Sequence, residues 1–170
     1  AKKEVSKMGL FGILAVLNNT FFIDNTNQRK SLEYNNKIQK TLMKKQNLIL
    51  FPEGTTSSGN GIKKFKSSLF ESTKIACLNN YNDYANVQPI SMSYKLKNNL
   101  PMGIFYRRYV AWVGDYPLLS LMILFLKTGS VTVNIKFHEC LNLSQFKDRK
   151  ALSTFCEQQI HHALKSELMV

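Results

Sequence analysis

The chain has 170 residues, enough for one domain with a buried core, and its 44% hydrophobic and 11% aromatic content excludes a disordered polymer. Lys and Arg number 23 against 11 Asp and Glu, and the net charge of +12 favours nucleic acid, anionic lipid or a polyanionic thioester, with solubility alone as the plain alternative. The three dispersed cysteines, Cys77, Cys140 and Cys156, contain no close metal-type pair, and no run reaches the roughly 20 apolar residues that span a bilayer.

The chain opens at Ala1 without an initiator Met or a signal-peptide pattern, already in helical register, so it is expected to begin within a larger element. Residues 2–17 have helical periodicity, and "TFFID" (Thr20 to Asp24) has the composition of a short buried strand. Residues 29–45 form a basic helical pattern ending in lysines, where a helix C-terminus favours cations. "NLILF" (Asn47 to Phe51) is predicted as strand and "SLFESTKIACL" (Ser68 to Leu78) as helix.

"VQPISMSY" (Val87 to Tyr94) and "YVAWVGD" (Tyr109 to Asp115) also suit strands, the first interrupted by Pro89, which implies an edge or a bulge. "PLLSLMILFL" begins with Pro117 at a helix N1 position. "SVTVNIKFHE" alternates, placing Val131, Val133, Ile135 and Phe137 on one face with His138 opposite. From Asp148 onward, Leu152, Phe155, Ile160, Ala163 and Leu164 fall on one helical stripe. The apolar runs Leu10 to Leu17 and Leu118 to Leu126 are expected to be buried elements.

No repeat or linker divides the chain, so residues 1–170 are expected to form a single domain. Strands separated by helices predict an α/β fold with a mixed or mostly parallel sheet flanked by helices.

In such a sheet, ligands sit in the loops beyond strand ends. "FPEGTTSSGNG" (Phe51 to Gly61) has that position: Pro52 stops pairing after Phe51, and Gly54 lets a ligand approach the backbone. Glu53 can accept from substrate hydroxyls, while Thr55, Thr56, Ser57 and Ser58 can donate to phosphate oxygens, with Lys63, Lys64 and Lys66 adding charge. That set suits a polyol phosphate. A solvated Gly/Ser turn with a basic surface remains the alternative.

"LILFPEGTTSSGNGIKKFKSSLF" resembles the third signature block of the glycerolipid acyltransferases, the 1-acyl-glycerol-3-phosphate acyltransferase family. "VQPISMSY" resembles the fourth block, "AWVGDYPLL" and "VNIKFHECL" the C-terminal strands of bacterial members, and the first 24 residues the approach to the second block. The resemblance covers nearly the whole chain, in order and spacing. It implies an acyltransferase-like fold and transfer of an acyl group from acyl-CoA or acyl carrier protein to the free hydroxyl of a lysophospholipid, as in forming phosphatidate. The implied partners are that acceptor, the acyl donor and an anionic membrane surface at the cytosolic face of a bacterial inner membrane, held peripherally or by an N-terminal anchor. No metal, other cofactor or specific nucleic acid is implied.

Residue by residue, the resemblance places Lys7 in the region that grips the acceptor phosphate and Glu53, Gly54, Thr55 and Thr56 in the acceptor cradle. Lys63 and Lys64 are secondary phosphate contacts. The second-block Arg falls at Asn25, and Arg29, four residues on, either bends back to supply it or simply opens the next helix. The acceptor is therefore lysophosphatidate or another lysolipid, such as an amino-acid-containing one.

The family's first block supplies a His general base in a His-x4-Asp pattern. None of His138, His161 and His162 has an Asp five positions on, so no catalytic residue is assigned here. The expectation is that this block lies upstream of Ala1, that the fold is incomplete at the N-terminus, and that the 170 residues alone are close to inactive. The alternatives are a non-catalytic remnant that binds lipid, and a basic nucleic-acid module. The second is disfavoured because the lysines are spread without interleaved aromatics.

Overall fold

Helix, sheet and loop are all represented in the computed structural model of the chain, which describes residues 6, 9–22, 31–44, 46–71, 86–111 and 118–168. The chain divides into two units, Ala1–Leu48 and Ile49–Val170.

Among its described residues the first unit holds two α-helices. α1 (Gly9–Leu17) starts at Gly9, φ +49°, and stops at Asn19, a left-handed residue (φ 51°), with the Asn18 backbone and side chain both donating to the Leu14 carbonyl. The apolar run predicted to be buried exposes Ile13, Leu14, Val16 and Leu17. α2 (Ser31–Met43) buries Ile38 and carries Lys40 in its last turn, matching the basic helix expected there. Residues 20–22 form no strand, because a strand is defined by a ladder partner and they have none among the described residues. The rest of the "TFFID" prediction, with Asn25 and Arg29, lies outside the described residues, as does Lys7.

The second unit is built on a three-stranded sheet, order β3-β2-β4, and a two-stranded ladder pairing β1 with β5. β1 (Asn86–Val87) and β2 (Ile90–Lys97) are separated at Pro89, as its missing N–H requires. β2 turns through Asn98 and Asn99, both left-handed (φ 50° and 64°), into β3 (Leu100–Pro101), a two-residue hairpin suited to the strand twist. After β3 come α3 (Ile104–Val110) and α4 (Leu118–Lys127), then β4 (Val131–Phe137) and β5 (Leu141–Asn142). α5 (Arg149–Leu168) closes the chain, its N-terminus capped by Asp148 Oδ1 accepting from Ala151 N at 2.8 Å.

Helices with a sheet are present as expected, but every strand pairing among the described residues is antiparallel rather than mixed or mostly parallel. The pairings here are made by a tight hairpin and by β4 returning alongside β2, and neither needs a parallel crossover. Residues 47–51, predicted as strand, form no ladder among the described residues, and Tyr109 and Val110, also predicted as strand, end α3 instead. The helix predicted from Ser68 begins as a 3₁₀ turn over Ser67–Phe70, and its continuation beyond residue 71 lies outside the described residues.

The core gathers Phe65, Phe70, Leu141, Leu152 and Cys156, with Ile62, Val87, Leu143, Phe146 and Ile160 around it. Leu152 is 1% exposed, and burial pushes the Cys156 thiol up to about 11, which makes it an inert packing group. The sheet is inverted in polarity. Ser91 and Ser93 of β2 are buried, and Glu167 of α5 pairs with Lys95 and accepts from Asn134, so α5 lies over a polar face. The stripe of Val133, Ile135 and Phe137 shares one face as its alternation predicted, but with Ile90 and Met92 it lies open.

Candidate functional site

The stretch from Phe51 to Lys66 folds into a loop laced by its own polar groups. Gly54 N donates to Phe51 O at 3.1 Å, and Gly54 takes φ +64°, so its place in the turn requires a residue tolerant of the left-handed region. The Glu53 carboxylate accepts from Lys63 N at 2.9 Å, Lys66 N donates to Pro52 O at 2.9 Å, and Lys63 Nζ donates to Thr56 O at 2.8 Å. These bonds close both ends of the loop onto each other. Glu53 and Gly54 are half-buried, and Thr55, Thr56, Lys63 and Lys64 are exposed.

Anchors outside the loop hold it in place. Glu157 of α5 accepts from Phe65 N at 2.8 Å, which ties the loop's end to the best-packed helix. Asn60 donates to Ile104 O at 3.1 Å and accepts from Arg107 Nη1 at 3.2 Å, while Arg107 Nε donates to Tyr94 O at 3.4 Å. Gly59, φ +73°, packs where a Cβ would stand 3.1 Å from Ala111 Cβ. Beside Gly54, a Cβ would stand 3.0 Å from Lys66 Nζ, so that ammonium lies against the turn. The structure thus brings together Glu53, Gly54, Thr55, Thr56 and Lys63 on one short loop.

Sequence reasoning missed three parts of this arrangement: Asn60, Arg107 and Glu157. Asn60 stood inside the quoted motif, between two glycines. Arg107 carried a weaker signal, a cation within the aromatic run "IFYRRYV". Glu157 gave none, since its partner is a backbone N–H distant in sequence.

The histidines lie elsewhere. His138 Nε2 is 3.1 Å from the buried Ser91 Oγ, and burial, followed by the Lys136 charge, holds its imidazole below the ordinary histidine range. His138 and His162 line an open groove of about 470 Å³ between β4 and α5, together with Lys136, Phe155, Gln158 and Gln159. No carboxylate lines that groove. No cluster of three or more His, Cys, Asp or Glu able to hold a metal occurs among the described residues.

A family model described as Acyltransferase matches residues 1–93 of the chain. The lyso-ornithine lipid O-acyltransferase of Brucella abortus (strain 2308) is 32% identical over 169 residues, covering 99% of this chain and 63% of the relative. The protein of the same description from Rhizobium meliloti (strain 1021) is 32% identical over 168 residues, 99% of this chain and 58% of the relative. The 1-acyl-sn-glycerol-3-phosphate acyltransferase of Neisseria gonorrhoeae is 40% identical over 73 residues, 42% of this chain and 28% of the relative. The chain therefore spans about three fifths of the length of the first two relatives. No solved structure matches it.

Proposed function

The chain belongs to the acyltransferase family, and on that premise we propose that it binds a lysolipid acceptor for acylation by acyl-CoA or acyl carrier protein. The observation that carries this reading is the laced loop from Pro52 to Lys66, which leaves the Thr55 and Thr56 side chains exposed beside Lys63 and Lys64. Chemically, those hydroxyls and ammonium groups can hold an oxyanion and a polyol while the lacing keeps them in place. A general base is a separate requirement, because an alcohol is a poor nucleophile near neutral pH. Among the described residues no His is hydrogen-bonded to a carboxylate, so the role we assign to these residues is acceptor binding. By resemblance Lys7 belongs to the region that grips the acceptor's anion, while Arg29 either supplies the charge missing at Asn25 or simply opens the next helix.

The acceptor we favour is an amino-acid-bearing lysolipid over lysophosphatidate. Relatives described as lyso-ornithine lipid acyltransferases match along nearly the whole chain, whereas the gonococcal relative described for glycerol phosphate matches over 73 residues.

We place the protein at the anionic surface of a bacterial membrane. No described helix is long and apolar enough to cross one. α3 and α4 pack together and expose Phe105, Tyr106, Tyr109, Leu119, Phe125 and Leu126. Lys97, Arg108 and Lys127 stand among them, and residues 86–111 and 118–138 contain no Asp or Glu. An apolar and aromatic face whose charged groups among the described residues are cations complements an anionic bilayer.

The test is transfer of a radiolabelled acyl chain by the full-length protein to lyso-ornithine lipid and to lysophosphatidate. Transfer to neither, with vesicle binding intact, would replace the enzymatic reading with that of a lipid-binding remnant.

A further inference from the structure

Arg107 is unusual for its residue type. It is 8% exposed, and a buried guanidinium is costly unless an opposite charge compensates it. Among the described residues no carboxylate is paired with it: Glu53 bonds Lys63 N, Glu71 pairs with Arg149, Glu157 bonds Phe65 N and Glu167 pairs with Lys95. The two hydrogen bonds of Arg107 go to neutral oxygens, Tyr94 O and Asn60 Oδ1. Its Nη2 makes none among the described residues and is not among the fully buried atoms lacking a partner, so that edge of the fork is left unpaired by them.

Asn60 connects this cation to the loop. Its Oδ1 accepts from Arg107, and its Nδ2 lies 3.5 Å from Ser58 Oγ and 3.1 Å from Ile104 O. The guanidinium is therefore pinned on one side by backbone and amide oxygens. The free side carries the donors of a planar fork suited to a phosphate or a carboxylate. The loop's own Lys63 spends one of its three donors on Thr56 O and offers a point charge, where the guanidinium offers a planar fork.

We propose that Arg107 is the anion-binding residue of the acceptor site, with its unpaired edge receiving the oxyanion of a lysolipid head group and Asn60 linking it to the loop. The proposal rests on the acceptor-binding reading above and adds the group that selects a charged head over a neutral one. Phosphate and carboxylate share the required chemistry, and the experiment separates them.

Binding is measured calorimetrically for three acceptors: 1-oleoyl-glycerol 3-phosphate, an N-(hydroxyacyl)-ornithine and neutral 1-oleoylglycerol. The proteins are the wild type, Arg107→Gln, Arg107→Lys and the distant surface control Lys165→Gln, each checked for folding by its circular dichroism melt. The wild type should prefer one of the two oxyanion-bearing acceptors, phosphate or carboxylate, over the one with neither, which identifies the head group. Arg107→Gln should lower affinity for that acceptor about tenfold or more and leave the neutral one unchanged. Arg107→Lys should keep part of the preference, and Lys165→Gln all of it. Equal weakening of all three acceptors by Arg107→Gln would make Arg107 a structural anchor and overturn the proposal, as would an unchanged preference or a wild type with none. Loss of preference in Arg107→Gln, in a full-length protein that transfers no acyl group, would uphold Arg107 while the transfer reading falls.

Discussion

α5 and α4 differ in the opposite sense from their compositions. α5 carries Arg, Lys, Glu, Gln and His throughout, yet buries Leu152, Cys156, Ala163 and Leu164. α4 is almost wholly apolar, LLSLMILFLK, yet exposes Leu119, Ile123, Leu124, Phe125 and Leu126. A helix is buried by a stripe that matches a neighbour, and total hydrophobicity does not substitute for one. α5 finds that neighbour in the 3₁₀ turn at Ser67–Phe70 and in β5, while α4 packs on the short α3.

The sharpest way to break the contrast is truncation at the centre of the packed stripe. Leu152→Ala should destabilise the protein by about 2–5 kcal/mol, read as a fall in melting temperature. Next is the link from α5 to the loop. Glu157→Ala leaves the buried Phe65 N–H without an acceptor and should cost about 1–3 kcal/mol, with weaker acceptor binding in the same titration. On the other helix, Leu126→Ser should change stability by no more than about 0.5 kcal/mol while reducing retention on vesicles rich in anionic lipid. A large loss of stability there would mean that α4 is covered after all.

The smallest effect concerns the α5 cap. The Ala151 N–H bond, followed by the Lys150 N–H and the charges of Lys150 and Lys147, holds the Asp148 carboxyl below its usual range. A depressed carboxyl contributes stability above its unfolded-state range and loses it as pH falls through the folded value. Asp148→Asn keeps a capping oxygen, so its melting temperature should fall less than the wild type's on acidification.

Much of this arrangement was legible in the sequence. The packed positions Leu152, Ala163 and Leu164 of α5, the helical run from Leu118 to Leu126, the alternation of β4 and the break at Pro89 follow from periodicity and from a missing N–H, which are local properties. Phe155 of the expected stripe is exposed, however, and Pro117 lies outside the described residues. What was not legible depended on partners. Residues 47–51 have strand composition but no ladder neighbour among the described residues, and Tyr109 and Val110 finish a helix that brings Arg107 to Tyr94 O. Alternation correctly grouped Val133, Ile135 and Phe137, but it cannot tell which face a helix will cover. The candidate loop was found from its glycines, hydroxyls and lysines. Its two distant anchors, Glu157 and Arg107, became visible only when chain segments far apart in sequence were brought together.

The lacing of that loop also bears on how such a site can change over generations. Its shape is kept by Glu53, Asn60, Lys63 and Glu157, through bonds that involve no side-chain hydroxyl of Thr55 or Thr56. Even the bond at Thr56 uses its carbonyl, which any replacement residue would retain. Framework and recognition are thus written in different letters of the same short word, and a lineage can trial new residues at positions 55 and 56 without first re-solving the turn that displays them.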